Sequence, residues 1–206
     1  APCGGWVRGR RLLSRSRGEW DLRAHAGAWA RENRRESDET GVVANALRLN
    51  ASGRIHGPES PGLGTSEFVS NVDTVSTLAE GQEADTTYSI RLRNETSLTV
   101  GSTSATVQRV GSEGTTSPLP DATQSDVRTT ATDDSSIRLF RESGSLLLTD
   151  GDNHDDTAVS ASNEGLVIIV ATGAGGAIDL QARVLSGSGN ISLYTSGAIT
   201  QAITAD

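Results

Sequence analysis

The sequence predicts an all-β chain wound as a coil of short strands, each coil stacking on the next, and three observations carry that prediction. From Val42 onward apolar residues recur at i and i+2, as in Leu47/Leu49, Ile90/Leu92, Leu98/Val100, Ile137/Leu139, Leu146/Leu148, Ile178/Leu180 and Ile191/Leu193. That is the strand period, and Gly, Ser, Thr, Asp and Asn separate the pairs. Thr and Val are abundant, and no segment of about 12 residues shows the i, i+3, i+4, i+7 spacing of a helix. Third, the pattern repeats. Ser89-Ile90-Arg91-Leu92 through Leu98-Thr99-Val100 matches Ser136-Ile137-Arg138-Leu139 through Leu146-Leu147-Leu148 once Gly144 is counted as an insertion.

Two further internal matches are weaker. Leu47, Leu49, Ser52, Gly53 and Ile55 align with Ile191, Leu193, Ser196, Gly197 and Ile199 at a constant offset of 144. Gly-x-Ile-x-Leu recurs at Gly176–Leu180 and Gly189–Leu193, with a degenerate copy at Gly197–Gln201. A strand with two inward side chains cannot bury its apolar side alone, so stacking of coils is required. Gly fits the tight corners because it reaches positive φ without a Cβ clash. Only Phe68, Tyr88, Phe140 and Tyr194 are aromatic after residue 40, as expected of a narrow interior filled by Ile, Leu and Val.

Composition divides the chain at about residue 40. All three Trp lie in residues 1–40, where nine Arg face six acids, for +3; residues 41–206 carry nine Arg and 20 acids, for −11. Residues 1–40 hold no sustained apolar period and are expected to be disordered or partly helical. Arg10-Arg11-Leu12-Leu13 lacks the apolar region that an export signal needs, since Ser-Arg-Ser-Arg-Gly-Glu follows it. Residues 41–206 are expected to form the solenoid.

The acidic balance argues against nucleic acid and anionic lipid as partners, because both are held by clustered Lys and Arg. Lys is absent, which excludes lysine-amine chemistry, and the lone Cys3 cannot form an internal disulfide. The longest apolar run, Leu166–Ala171, suits a buried strand and is too short to span a membrane. With no Met and Ala1 at its start, the chain is read as a piece of a longer parent.

On the residues Ala46–Ile55, Asn71–Ser76, Ser89–Gly101 and Gly189–Ile199, the region from about Ala44 to Gln201 resembles the giant repetitive bacterial surface proteins of the filamentous-haemagglutinin and autotransporter-adhesin type. The resemblance implies a right-handed parallel β-helix exported to the outer cell surface, and it carries over no catalytic residue. It further implies a non-enzymatic structural or adhesive segment. Its expected partners are an extracellular glycan or protein ligand and neighbouring repeats of the parent.

Val167–Gly176 runs from an apolar strand into glycines as in a dinucleotide-binding turn. Ile178 occupies the third glycine position, however, and a strand pattern follows, so a buried strand plus corner is expected. Asp150-Gly151-Asp152-Asn153-His154-Asp155-Asp156 concentrates oxygen ligands, and Asp150, Asp152, Asp155 and Asp156 are the candidates for a weak calcium site. The Gly and Glu of an EF-hand loop are replaced by Asp155 and Ala161, so affinity in the millimolar range is expected. The alternative to an adhesive role is a β-helix polysaccharide lyase or hydrolase in which Asp133-Asp134 meets the Asp150–Asp156 cluster to supply acid and base. His25, His56 and His154 are scattered, and no nucleophilic triad or zinc spacing is present. The sequons at Asn50, Asn94 and Asn190 are uninformative in a bacterial parent.

Overall fold

A computed structural model describes residues 23–27, 33–34, 40–57, 59–60, 64–65, 67–80, 88–110, 112–130 and 134–202. These residues form no helix. They build a parallel β-solenoid of about five turns.

Strands β1 (Arg23–Gly27) and β2 (Asn33–Arg34) pair antiparallel with β3 (Thr40–Ala51), so this part of residues 1–40 is extended where disorder or helix was expected. The rest of that segment lies outside the described residues. The next turn leaves the stack as the small hairpin β4 (Glu59–Ser60) and β5 (Gly64–Thr65), and returns as the long strand β6 (Phe68–Ala79). Beyond β6 each turn contributes three strands to the stack. The third turn holds β7 (Ile90–Asn94), β8 (Leu98–Val100), the antiparallel hairpin β9 (Thr106–Val110) and β10 (Thr116–Pro120), and β11 (Val127–Thr129). The fourth holds β12 (Ile137–Arg141), β13 (Ser145–Leu148) and β14 (Thr157–Ala161). The fifth holds β15 (Val167–Ala171), β16 (Ala177–Leu180) and β17 (Arg183–Ser186), and β18 (Ile191–Thr195) and β19 (Ile199–Gln201) begin the next.

Three columns of parallel strands result. The first face is β7-β12-β15-β18, the second β8-β13-β16-β19 and the third β11-β14-β17. β6 runs under all three. The register puts like on like: Ile90, Ile137, Val167 and Ile191 form one inward ladder, Leu92, Leu139, Ile169 and Leu193 the next, and Leu98, Leu146, Ile178 and Ile199 a third. All but the last rung of each are buried. The Ser89–Val100 and Ser136–Leu148 repeat is thus one coil stacked on the next.

The other two matches do not survive as coil equivalences. Leu47 pairs with Val75 on the second face, whereas Ile191 stacks on Val167 on the first, so the offset of 144 joins different columns. The copies of Gly-x-Ile-x-Leu at Gly176 and Gly197 are stacked rungs, but the copy at Gly189 belongs to the first face. That motif marks one corner plus one strand, a unit smaller than a coil. Val167–Gly176 is the expected buried strand followed by a corner in which Gly173 and Gly175 have φ of +81° and +72°.

One inward ladder is polar at all rungs but Ala171: Ser70, Asn94, Arg141, Ala171 and Thr195. Asn94 serves as a corner brace. Its Oδ1 accepts from the Val72 amide (3.0 Å) and the Ser70 hydroxyl (2.9 Å), and its Nδ2 donates to the carbonyls of Val72 (3.0 Å) and Thr96 (3.1 Å). One rung up, Arg141 is 1% exposed, and none of its guanidinium nitrogens has a hydrogen-bond partner among the described residues. Burial pushes its pKa down, the signature of a desolvated cation.

Gly144, the inserted corner residue, has φ of +92°, and a Cβ there would crowd the Ser97 hydroxyl and lie 2.9 Å from the Ser97 amide nitrogen. Gly144→Ala is therefore expected to lower unfolding free energy by at least about 1–2 kcal/mol. Arg141→Met, which replaces an unpaired buried charge with an apolar chain, is expected to raise it by roughly 1 kcal/mol or more. Urea denaturation followed by circular dichroism measures both.

Candidate functional site

Two places on the solenoid concentrate chemistry: the corner joining the second face to the third, and the outer surface of the first face.

At the corner, residues 149–153 of the fourth turn lie over residues 100–102 and 125–126 of the third. Gly151 fits against Ser125 and Asp126, where a Cβ would come within 2.9 Å of Asp126 Oδ1. The Ser102 and Ser125 hydroxyls are 2.8 Å apart, and the Asp152 amide donates to Ser102 Oγ (2.6 Å). Within the acidic loop Asp155 is held by its own neighbours, since Oδ1 accepts from the Thr157 amide (2.9 Å) and Oδ2 from Asn153 (3.0 Å). The carbonyls of Asp155 and Asp156 accept from the Arg183 guanidinium at 2.6 and 3.2 Å. Asp156 has φ of +57°, Asp152 and Asp156 are exposed, and Asp150 Oδ2 lies 3.9 Å from His154 Nδ1.

Of the four candidate ligands, then, Asp155 caps a turn, Asp152 and Asp156 face solvent, and Asp150 stays inside the corner. Among the described residues no three Asp, Glu, His or Cys side chains converge on one point.

The residue that sequence reasoning missed is Asp126. It is 0% exposed and has φ of +67°. Its Oδ2 accepts from Asn153 Nδ2 (2.8 Å), while its Oδ1, like Asp150 Oδ1, is buried without a partner among the described residues. Burial raises its pKa to about 6. Asp155 and Asp150 push the same way, and the Asn153 hydrogen bond and Arg128 oppose them. No repeat could have pointed to it. The equivalent corner runs from 101 to 126 in one turn and from 149 to 156 in the next, and the β9–β10 hairpin erases any constant spacing.

The carboxylate pairs of the enzymatic alternative are not brought together. Asp134 lies between the third face and the next first-face strand, and its Oδ1 accepts from the Glu164 amide (3.0 Å). The Asp150–Asp156 loop lies at the opposite end of the third face. Asp133 lies outside the described residues.

On the outer surface of the first face, register aligns Val69, Arg93, Phe140, Val170 and Tyr194 in one row. Arg91, Arg138, Ile168 and Ser192 align in the row beside it. Phe140, Val170 and Ile168 are half-buried, and Tyr194 is 61% exposed. Arg93 pairs with Glu142, Arg138 Nε lies 3.3 Å from Glu67, and the Arg91 guanidinium sits 5.6 Å from the centre of the Tyr88 ring. The result is a flat strip of aliphatic and aromatic surface edged by guanidinium groups.

Comparison with protein families, with curated proteins and with solved structures returns no match. No helix among the described residues is long and apolar enough to cross a membrane.

The sign of the Asp126 effect follows from its raised pKa: the folded state holds its proton more tightly than the unfolded chain. Its stabilising contribution is fully present below the ordinary value of 3.8 and is lost as pH rises through about 6. Between pH 7.5 and pH 5 the unfolding free energy is expected to rise by about 1–1.5 kcal/mol from this group. Asp126→Asn should remove most of that dependence while stabilising the protein at neutral pH. Thermal unfolding at the two pH values checks both.

Proposed function

We propose that this chain is a non-catalytic structural and adhesive segment of a secreted or cell-surface repetitive protein, and that its ligand is an extracellular glycan. The observation that best supports this reading is the outer strip of the first face. A flat aromatic and aliphatic row suits the C–H face of a sugar ring, and the flanking Arg side chains supply rigid donor forks to hydroxyl or carboxylate groups. A parallel solenoid adds one residue to such a row with every coil. Many weak contacts then add along a chain of sugars, and neighbouring repeats of a longer parent would extend the same rows.

Calcium at the acidic corner belongs to the same proposal. A divalent ion on Asp150, Asp152, Asp155 and Asp156 would relieve the repulsion of these carboxylates among themselves and with the buried Asp126, at the millimolar affinity of extracellular modules.

Binding to a panel of acidic and neutral polysaccharides, read by retardation in affinity gels, is expected for the wild-type chain. Tyr194→Ala, at the exposed end of the row, should weaken it severalfold with little change in melting temperature. Release of reducing ends, abolished by Asp152→Asn, would instead establish the polysaccharide-degrading alternative. Calcium at several millimolar should raise the melting temperature of wild type and not of Asp152→Asn/Asp156→Asn. An unchanged wild-type midpoint leaves the corner held by its own hydrogen bonds.

A further inference from the structure

A cleft of about 230 Å³ opens on the outer surface of the third face, beside the acidic corner. Three successive turns build it. Leu78 of β6 and Arg128 of β11, adjacent in register and outward-facing, line it together with residues 123–125 of the third turn and Asn153 of the fourth.

The segment that leads into residues 123–125 is pinned to the stack. Arg48 of β3 donates from Nε to Gln124 Oε1 (3.1 Å) and from Nη1 to Asp121 Oδ2 (2.7 Å) and the Ala122 carbonyl (2.8 Å). Gln124 Nε2 in turn donates to the Leu49 carbonyl (2.9 Å). The cleft is therefore formed before any ligand arrives, and binding loses little ordering entropy.

Anchoring consumes the Gln124 amide and leaves a definite set of groups unspent. Arg128 makes no hydrogen bond among the described residues, and its nearest carboxylate oxygen, Asp155 Oδ2, is 3.9 Å from Nη1. The Thr123 hydroxyl is likewise without a partner among the described residues. Asn153 Nδ2 donates to both Asp126 and Asp155, so its carbonyl is the part left to accept. Leu78 adds a half-buried apolar side chain.

Charge and size narrow the ligand. An anion would meet Asp155, Asp150 and Asp126, all close enough to act on one another, and a cation would meet Arg128. An uncharged molecule rich in hydroxyls satisfies the donor fork, the hydroxyl and the carbonyl, and lays its C–H groups on Leu78. Pockets for drug-sized molecules run to roughly 300–1,000 Å³, so this cleft admits one small ring.

We propose that the cleft binds a single uncharged hexose unit, the terminal residue of a glycan chain or branch, with Arg128 donating to its hydroxyls and Asn153 accepting from one. The inference rests on the glycan reading and adds to it: the strip takes the interior of a chain and the cleft takes an end.

Free glucose, galactose, mannose and glucuronate are the probes, titrated into the full chain and followed by amide chemical shifts. At least one neutral hexose is expected to bind in the millimolar range, as suits so small a ligand, and to shift the amides of residues 123–128 and 153. Arg128→Lys, which keeps the charge and loses the planar fork, should raise the dissociation constant roughly fivefold or more. Thr123→Trp, at an exposed position, should fill the cleft and abolish the shifts with the melting temperature unchanged, whereas Tyr194→Ala should leave hexose binding intact. Polysaccharide retardation without hexose shifts at these amides would overturn the cleft and leave the strip standing. Hexose shifts without retardation would uphold the cleft and sink the strip. Glucuronate binding more tightly than every neutral hexose, or affinity indifferent to Arg128→Lys, would also overturn the proposal.

Discussion

Every feature of this molecule follows from one constraint: each coil must hydrogen-bond to the next in parallel and in register, so that a residue's neighbour above and below shares its inward or outward direction. A slip of one residue would turn the apolar set to solvent, because side chains alternate along a strand. The chain obeys this while its coils differ in length. From Phe68 to its neighbour Leu92 is 24 residues, from Ile90 to Ile137 is 47, from Ile137 to Val167 is 30 and from Val167 to Ile191 is again 24. The surplus leaves the stack at corners, most visibly as the β9–β10 hairpin, and the strands resume in register beyond it.

Corners therefore carry the burden that the strands do not. There the chain turns with backbone groups that no ladder satisfies, and the solutions are local: glycines at positive φ, Asn94 bridging from the interior, Asp155 capping Thr157, and the buried Asp126 braced by Asn153. Arg141 occupies the rung above Asn94 without a comparable set of partners. Acidity at the second-to-third-face corner is thus partly structural, and the same packing that buries Asp126 holds it in its neutral form at mildly acidic pH.

Legibility in the sequence tracked this division. The strand period and the Ser89/Ser136 repeat exposed the coil because stacked inward positions must be alike, and Gly144 announced itself as a corner insertion. The match at an offset of 144 misled because first-face and second-face strands bury the same residue types, so Leu47 and Ile191 look equivalent while lying in different columns. Asp150 and Asp155 were visible as a local cluster, whereas Asp126 was not, since its nearness to them depends on stacking across an insertion. The outer strip was equally hidden. Arg93, Phe140, Val170 and Tyr194 share no motif and meet only because their strands are in register.

Register is therefore the quantity to measure, and paired cysteines in a Cys3→Ser background report it directly. Arg138 and Ile168 face outward as adjacent rungs of the first face. Their Cα atoms lie at the strand spacing of about 4.8 Å, within disulfide range. Oxidation of Arg138→Cys/Ile168→Cys should give an intramolecular disulfide, and Arg138→Cys/Ile169→Cys, whose second thiol points inward, should not. A disulfide formed by the 138/169 pair and not by the 138/168 pair would contradict the stacking on which the core, the acidic corner and the outer strip all rest.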